Sequence, residues 1–193
     1  VSYARSFGII GLEAEIGYMY DKVSGRAKPS HFLLPAAKIN FDFGKVGIMP
    51  FIELKTNITH NNLEAMYKAN PYIDYIPMQG AFGTMASTRS YDLHFGIMGS
   101  DRASKVAYRV YLGGSFMRDQ MLWYINREGT FGFTQQDNNR LFVGAEFEYR
   151  PFRGLQLVAS ARAHSDNTSS AYAVSDARLV AALRAEYDIK RWN

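Results

Sequence analysis

The stretch Leu141-Phe142-Val143-Gly144-Ala145-Glu146-Phe147-Glu148-Tyr149 decides how the rest of the chain is read. Leu141, Val143, Ala145, Phe147 and Tyr149 alternate with Gly144, Glu146 and Glu148. Successive side chains of a β-strand point to opposite faces, so this order gives one apolar and one acidic face. A helix would scatter the same carboxylates at a spacing of about 3.6 residues. The stretch Val106 to Phe116 repeats the pattern, with Val106, Tyr108, Val110, Leu112 and Phe116 opposed by Ala107, Arg109, Gly113 and Ser115. So does Leu179 to Ile189, with Arg184, Glu186 and Asp188 on the polar side.

Working outward, the alternation predicts about eight strands, over 7–20, 31–43, 46–60, 88–100, 105–124, 140–151, 155–166 and 176–190. Most exceed the ~9–11 residues with which a tilted strand crosses a bilayer. Globular strands centre on about 5–6 residues. The predicted connections alternate between short (44–45, 100–104, 150–154) and long (21–30, 61–87, 128–139, 166–175). That rhythm is the habit of outer-membrane barrels, with tight periplasmic turns and longer external loops. The expected fold is therefore all-β, an antiparallel transmembrane barrel occupying 1–193 as a single domain, with both chain ends on the periplasmic side.

Composition narrows the alternatives. The chain has 193 residues, 47% hydrophobic and 15% aromatic, with 13 Tyr and 13 Phe. No apolar run reaches the ~18 residues of a membrane-spanning helix. A barrel needs none, because only alternate residues of its strands meet lipid. With no cysteine, disulfides and thiolate metal sites are excluded. The 22 basic and 18 acidic residues are spread without a basic block, which argues against nucleic acid as a partner. No HExxH, phosphate-binding glycine loop or dinucleotide fingerprint is present; the loop acids Asp137 and Asp166 have the chemistry to hold calcium, but scattered acids are ordinarily just solvated.

The two faces have distinct expected roles. One carries Glu13, Glu15, Lys38, Glu53, Lys55, Asp92, His94, Arg109, Glu146, Glu148, Arg162, Arg184 and Glu186, candidates for the lumen side. The other carries aliphatic residues in mid-strand and rings near strand ends. Tyr18, Tyr20, Phe41, Phe43, Tyr149, Tyr187 and Trp192 are candidates for an aromatic girdle at headgroup level. Pro35 and Pro50 remove ladder donors and are expected at bulges or strand ends. In the connection 61–87, Asn62 would cap a short helix over Leu63 to Ala69, before the aromatic segment Asn70 to Pro77. Tyr3-Ala4-Arg5-Ser6-Phe7-Gly8 parallels the turn Tyr149-Arg150-Pro151-Phe152-Arg153-Gly154. Val1 to Tyr3 would then end an earlier strand, and the predicted strands would be part of a larger wall.

The alternating strands, the loop rhythm and the Asn70-Pro71-Tyr72 loop resemble the barrel portions of TonB-dependent-receptor-like outer-membrane proteins and porins. The resemblance covers the whole chain as a pattern, and neither a plug domain nor a TonB box is recognisable. It implies a bacterial outer-membrane location, a wall around a passage for small solutes, contact with lipid and with other envelope proteins, and no cofactor. Small eight-stranded adhesion or anchor barrels are the competing resemblance, with loops that bind partners. A soluble β-sandwich or ligand-binding barrel is the third alternative. Enzymes also exist on this fold, but His164, Ser165 and Asp166 are neighbours on one strand and point alternately, so they form no triad by themselves. The expectation is a non-enzyme.

Overall fold

The computed structural model describes residues 1–21, 30–44, 47–61, 68, 86–101, 105–125, 127, 129, 131–152, 154–167 and 178–187. These residues form β1 (Ser2–Phe7), β2 (Ile10–Asp21), β3 (Ser30–Phe41), β4 (Ile48–Thr59), β5 (Thr88–Ser100), β6 (Val106–Ile125), β7 (Phe131–Tyr149), β8 (Leu155–Asp166) and β9 (Leu179–Tyr187). They lie in chain order in one antiparallel sheet. Among the described residues β1 and β9 do not meet, so this sheet is open.

Three expectations are corrected. Tyr3 to Gly8 is not a turn. Ser2–Phe7 is a strand, and the chain reverses at Gly8-Ile9, where Gly8 takes φ 61°. Arg5 interrupts the apolar alternation of this short strand, packing its guanidinium 4.8 Å from the Phe7 ring, which is why the pattern hid it. The extra strand also moves the first residue from the rim to mid-wall, where Val1 and Ile16 exchange hydrogen bonds. Finally, 131–139 is strand and not loop. Gln120 to Ile125 pair with Phe131 to Gln136, so β6 and β7 continue as a two-stranded ribbon well past their neighbours. Its polar run Thr134-Gln135-Gln136-Asp137-Asn138-Asn139 reads as a loop, yet the ladder holds it extended.

The connections 8–9, 42–47, 101–105 and 150–154 define a lower rim. The connections 22–29, 60–87, 126–130 and 167–178 define an upper one. The lower turns close on local bonds. Asp101 Oδ1 accepts from the backbone N–H of Lys105 (2.6 Å) and Val106 (3.0 Å), and Asp42 Oδ1 accepts from that of Gly44 (2.8 Å). The helix and aromatic segment expected within 62–85 lie outside the described residues, Lys68 apart.

Register assigns the faces. Paired residues of an antiparallel ladder share a face. One transverse row runs Glu13, Lys38, Glu53, His94, Gly113, Phe142 and His164. The next runs Lys55, Asp92, Ser115 and Arg140. A groove on this face is lined by Met49 of β4, by residues of β5 to β8, and by Ala182 and Arg184 of β9. Strands lie about 4.8 Å apart, so a single depression spans so many of them only if the sheet curls. This face is the concave, inner one.

Both strand prolines flank the same weak ladder. The β3–β4 pairing runs only from Ala37↔Leu54 to Asn40↔Phe51. Continued in register, Pro35 would meet Thr56 and Pro50 would meet Phe41. Proline has no N–H to exchange there. Thr56 Oγ1 instead donates 2.6 Å to the Pro35 carbonyl. Neither proline ends a strand or marks a bulge: Pro35 keeps its partner Ile16 on β2, and Pro50 keeps Ile97 on β5.

Across the β6–β7 ladder, rings lie on glycines. Tyr111 faces Gly144 and Phe142 faces Gly113. A Cβ at Gly144 would sit 2.5 Å from Tyr111 Cζ, and one at Gly113 would run into the Leu93 carbonyl oxygen and sit 2.7 Å from Phe142 Cζ. Gly114 points to the other face, where a Cβ would meet nothing nearer than the Arg140 carbonyl oxygen at 3.8 Å. Replacing Gly113 or Gly144 by Ala is expected to destabilise the folded protein by about 1–3 kcal/mol through overpacking. Gly114→Ala is expected to be neutral or mildly stabilising. Urea midpoints of the lipid-folded protein check this contrast, and equal midpoints for Gly113→Ala and Gly114→Ala would refute it.

Candidate functional site

The burial of this sheet is inverted. His94 is 5% exposed, Asp92 8% and Glu53 9%, whereas Leu141 is 70% and Leu183 80% exposed. Leaving large aliphatic side chains in water forgoes ~25 cal/mol for each Å², and contiguous apolar surface marks contact with another apolar phase. A barrel wall in lipid has this pattern, apolar outward and polar inward.

All the charged lumen candidates fall on the inner face by register. Glu15 lies opposite Ala36, Glu148 opposite Ala107, Arg162 opposite Gly144, and Glu186 opposite Gln156. The girdle candidates Tyr18, Tyr20, Phe41, Tyr149 and Tyr187 fall on the outer face. Phe43 is exposed just past β3. Trp192 lies outside the described residues. Tyr18 and Tyr20 sit towards the upper rim around His31. The Tyr18 hydroxyl and His31 Nδ1 are 2.6 Å apart, and the Tyr20 ring meets the imidazole edge-on at 5.4 Å. Phe41, Phe43, Tyr149 and Tyr187 mark the lower rim.

The centre of the inner face is built on Glu53. Its carboxylate accepts from Arg109 Nη2, lies 3.2 Å from Lys55 Nζ and lies 3.6 Å from His94 Nδ1. Arg109 comes from β6, so the pair spans β5, and its Nη2 also faces His94 Nδ1 at 3.4 Å. One row nearer the upper rim, Asp92 accepts from the Ser115 hydroxyl. Rings form the floor. Tyr111 stacks on His94 at 5.0 Å and 5°, Phe142 meets His94 edge-on at 4.8 Å, and Phe51, Tyr111 and Phe142 form one buried cluster with Met98. Arg109 covers Phe51 (4.5 Å) and Tyr111 (5.2 Å), and Arg162 covers Phe142 (4.3 Å). The guanidinium groups shield the rings, and the rings hold the guanidinium groups in place.

Sequence reasoning missed this aromatic floor. Phe142 stands out in the opening stretch as a large ring on the face of Gly144 and Glu146. That anomaly, with Tyr111 beside Arg109, was the available signal. A second group missed is polar and sits at the upper rim. Asn61 Nδ2 donates to Ala86 O (2.8 Å) and Thr88 Oγ1 (2.8 Å). Gln135 Oε1 accepts from Ala86 N (2.8 Å) while its Nε2 donates to Ala86 O (2.7 Å) and Asp119 O (3.0 Å). The side-chain amide thus pairs with Ala86 as a neighbouring strand would. Asp119 has φ 56° at the register shift between Met117 and Gln120 and is secured through its N–H to Asp137 Oδ1 (3.1 Å). These bonds tie the start of β5 to the ribbon. They stayed hidden because 128–139 reads as a loop.

Two predictions follow from this geometry. Glu53→Gln leaves Arg109, Lys55 and His94 crowded without their carboxylate. It should destabilise by about 2 kcal/mol, under the ~3–5 kcal/mol of a fully enclosed pair because Lys55 and Arg109 keep contact with solvent; an unchanged urea midpoint would contradict it. Gln135→Leu strips the Ala86 amide of its acceptor, so hydrogen exchange at Ala86 should quicken by at least about tenfold, as expected for a lost bond of ~1.5 kcal/mol.

Comparison with known proteins agrees with the geometry. Neither a family model nor a curated protein matches the sequence. Among solved structures, the copper transporter OprC is similar with a TM-score of 0.55 at 11% identity, covering 83% of this chain and 26% of that one. This chain therefore spans about a quarter of that protein's length. At this identity the likeness speaks for fold. The inverted faces, the rim-to-rim antiparallel strands and this neighbour together give the chain the fold of an outer-membrane β-barrel wall.

Proposed function

We propose that this chain is part of the wall of a transport barrel in the bacterial outer membrane, its outer face against lipid and its inner face lining a passage for a small polar solute. The observation that carries the reading is the continuous charged inner face, from Glu13 on β2 to Glu186 on β9, backed by an apolar outer face. Charges on a channel wall are satisfied by each other and by water, and they bias which solutes pass. The alternation of sign along the row Glu13, Lys38, Glu53 keeps the wall hydrated without a strong net field. The upper rim, with the connection 60–87 and the β6–β7 ribbon, is the external side in this reading, and no catalytic centre is part of it. The neighbour's name gives copper as its cargo. No group of three His, Asp or Glu side chains among the described residues is arranged to hold a metal ion, so copper is not carried over here.

The test is electrical. The intact protein, reconstituted in planar bilayers, should give discrete conductance steps, and Arg109→Gln or Glu146→Gln should change the cation-to-anion permeability ratio in opposite directions. Absence of conductance, together with absence of solute uptake into proteoliposomes, would sink the transport reading.

A further inference from the structure

Above the Glu53 centre the inner face carries a second depression of a different chemistry. It is bounded by the top of β4, the start of β5, the middle of β6, and by β7 and β8, with a volume of about 220 Å³. At ~30 Å³ for each displaced water, that is room for a ligand of about monosaccharide size. Its polar lining includes the hydroxyl and amide groups of Thr59, Ser90 and Gln120, the guanidinium groups of Arg140 and Arg162, and one carboxylate, Asp92, which accepts from the Ser115 hydroxyl; Met117 and Met121 form its apolar patch.

We infer that this depression is a binding subsite for a small hydroxylated anion, a sugar phosphate or a polyhydroxy acid. Three features carry the inference. Arg162 is held over Phe142 at 4.3 Å, a contact that fixes the guanidinium without using its N–H donors, which remain able to form charge-assisted bonds to a carboxylate or phosphoryl oxygen. Hydroxyl and amide groups surround it at several heights. Gln120 Oε1 is already bonded to Asn138 Nδ2 at 2.8 Å, which orients its own NH₂ as a donor. Thr59 and Ser90 can each donate or accept, as successive ligand hydroxyls require. The thioether side chains of Met117 and Met121 give the C–H face of a ring an apolar, adaptable surface. A bare inorganic anion would leave the hydroxyl-matching groups and the methionines unused, and a neutral sugar would leave the Arg162 donors unused.

The subsite lies towards the upper rim, so in the transport reading a solute meets it first. The inference rests on that reading for its role, but binding is measured without transport. Isothermal titration calorimetry on the intact detergent-solubilised protein would use glucose 6-phosphate and gluconate as probes, with glucose and inorganic phosphate as comparisons. Saturable binding of either hydroxylated anion, at least about tenfold tighter than glucose and phosphate, is expected from one charge-assisted contact plus the hydroxyl contacts. Arg162→Gln should weaken it by about tenfold or more, Arg162→Lys by less, and Ser90→Ala by a few-fold. If Arg162→Gln does not fold, Ser90→Ala and Arg162→Lys carry the test. Phosphate binding as tightly as glucose 6-phosphate, glucose binding as tightly as gluconate, no saturable binding, or affinities unmoved by every variant would each overturn the inference. Conductance without such binding would leave the barrel a pore and the subsite refuted. Binding without conductance or uptake would refute transport and leave the subsite standing.

Discussion

The wall depends on one constraint: every backbone N–H and C=O that crosses hydrocarbon must be bonded to the neighbouring strand, because lipid offers no substitute for water. The chain meets it with long ladders in strict chain order, nine or more residue pairs deep in six of the eight pairings among the described residues. Where the ladder fails, a side chain fills in. The prolines beside the β3–β4 pairing withhold two donors, and the Thr56 hydroxyl takes up the Pro35 carbonyl. At the upper rim, where the chain leaves and re-enters the sheet, the Gln135 amide serves Ala86 as a strand would.

Once the ladders are set, the pleat decides everything about the two faces. A period of two residues sends Leu141, Val143 and Phe147 outward and Phe142, Gly144 and Glu146 inward. The outward residues have little packing within the chain, the pattern of a barrel wall whose outer face meets lipid. The inward residues cannot be left unpaired at low exposure, and opposite charges on adjacent strands answer that need. The Glu53–Arg109 pair reaches across β5 for the same reason. Rings then fill the space over glycines, and the arginines that cover Tyr111 and Phe142 line the inner face.

Much of this was legible in sequence. Period-two alternation located every strand except β1, and the register keeps the charged residues from Glu13 to Glu186 on one face. Two places resisted. In β1 the outward Arg5 breaks the apolar alternation, since its charge is accommodated by the Phe7 ring. In the ribbon, Thr134 to Asn139 carry no hydrophobic pattern. There the strand is held by Gln120, Gln135 and Asn138, whose partners lie 18 or more residues away, or 16 in the case of Asp119.

The sequence by itself determined which residues share a face, because the side-chain period of an extended chain is a local property. It could not say which residues meet across strands. Register depends on turn geometry and on ladder bonds between segments far apart in the chain, and only the tertiary structure supplies it. That is why Glu53, His94, Arg109 and Phe142 were visible as members of one wall, while their convergence on a single centre, and the hydroxyl-lined depression above it, appear only once β4 to β8 lie side by side.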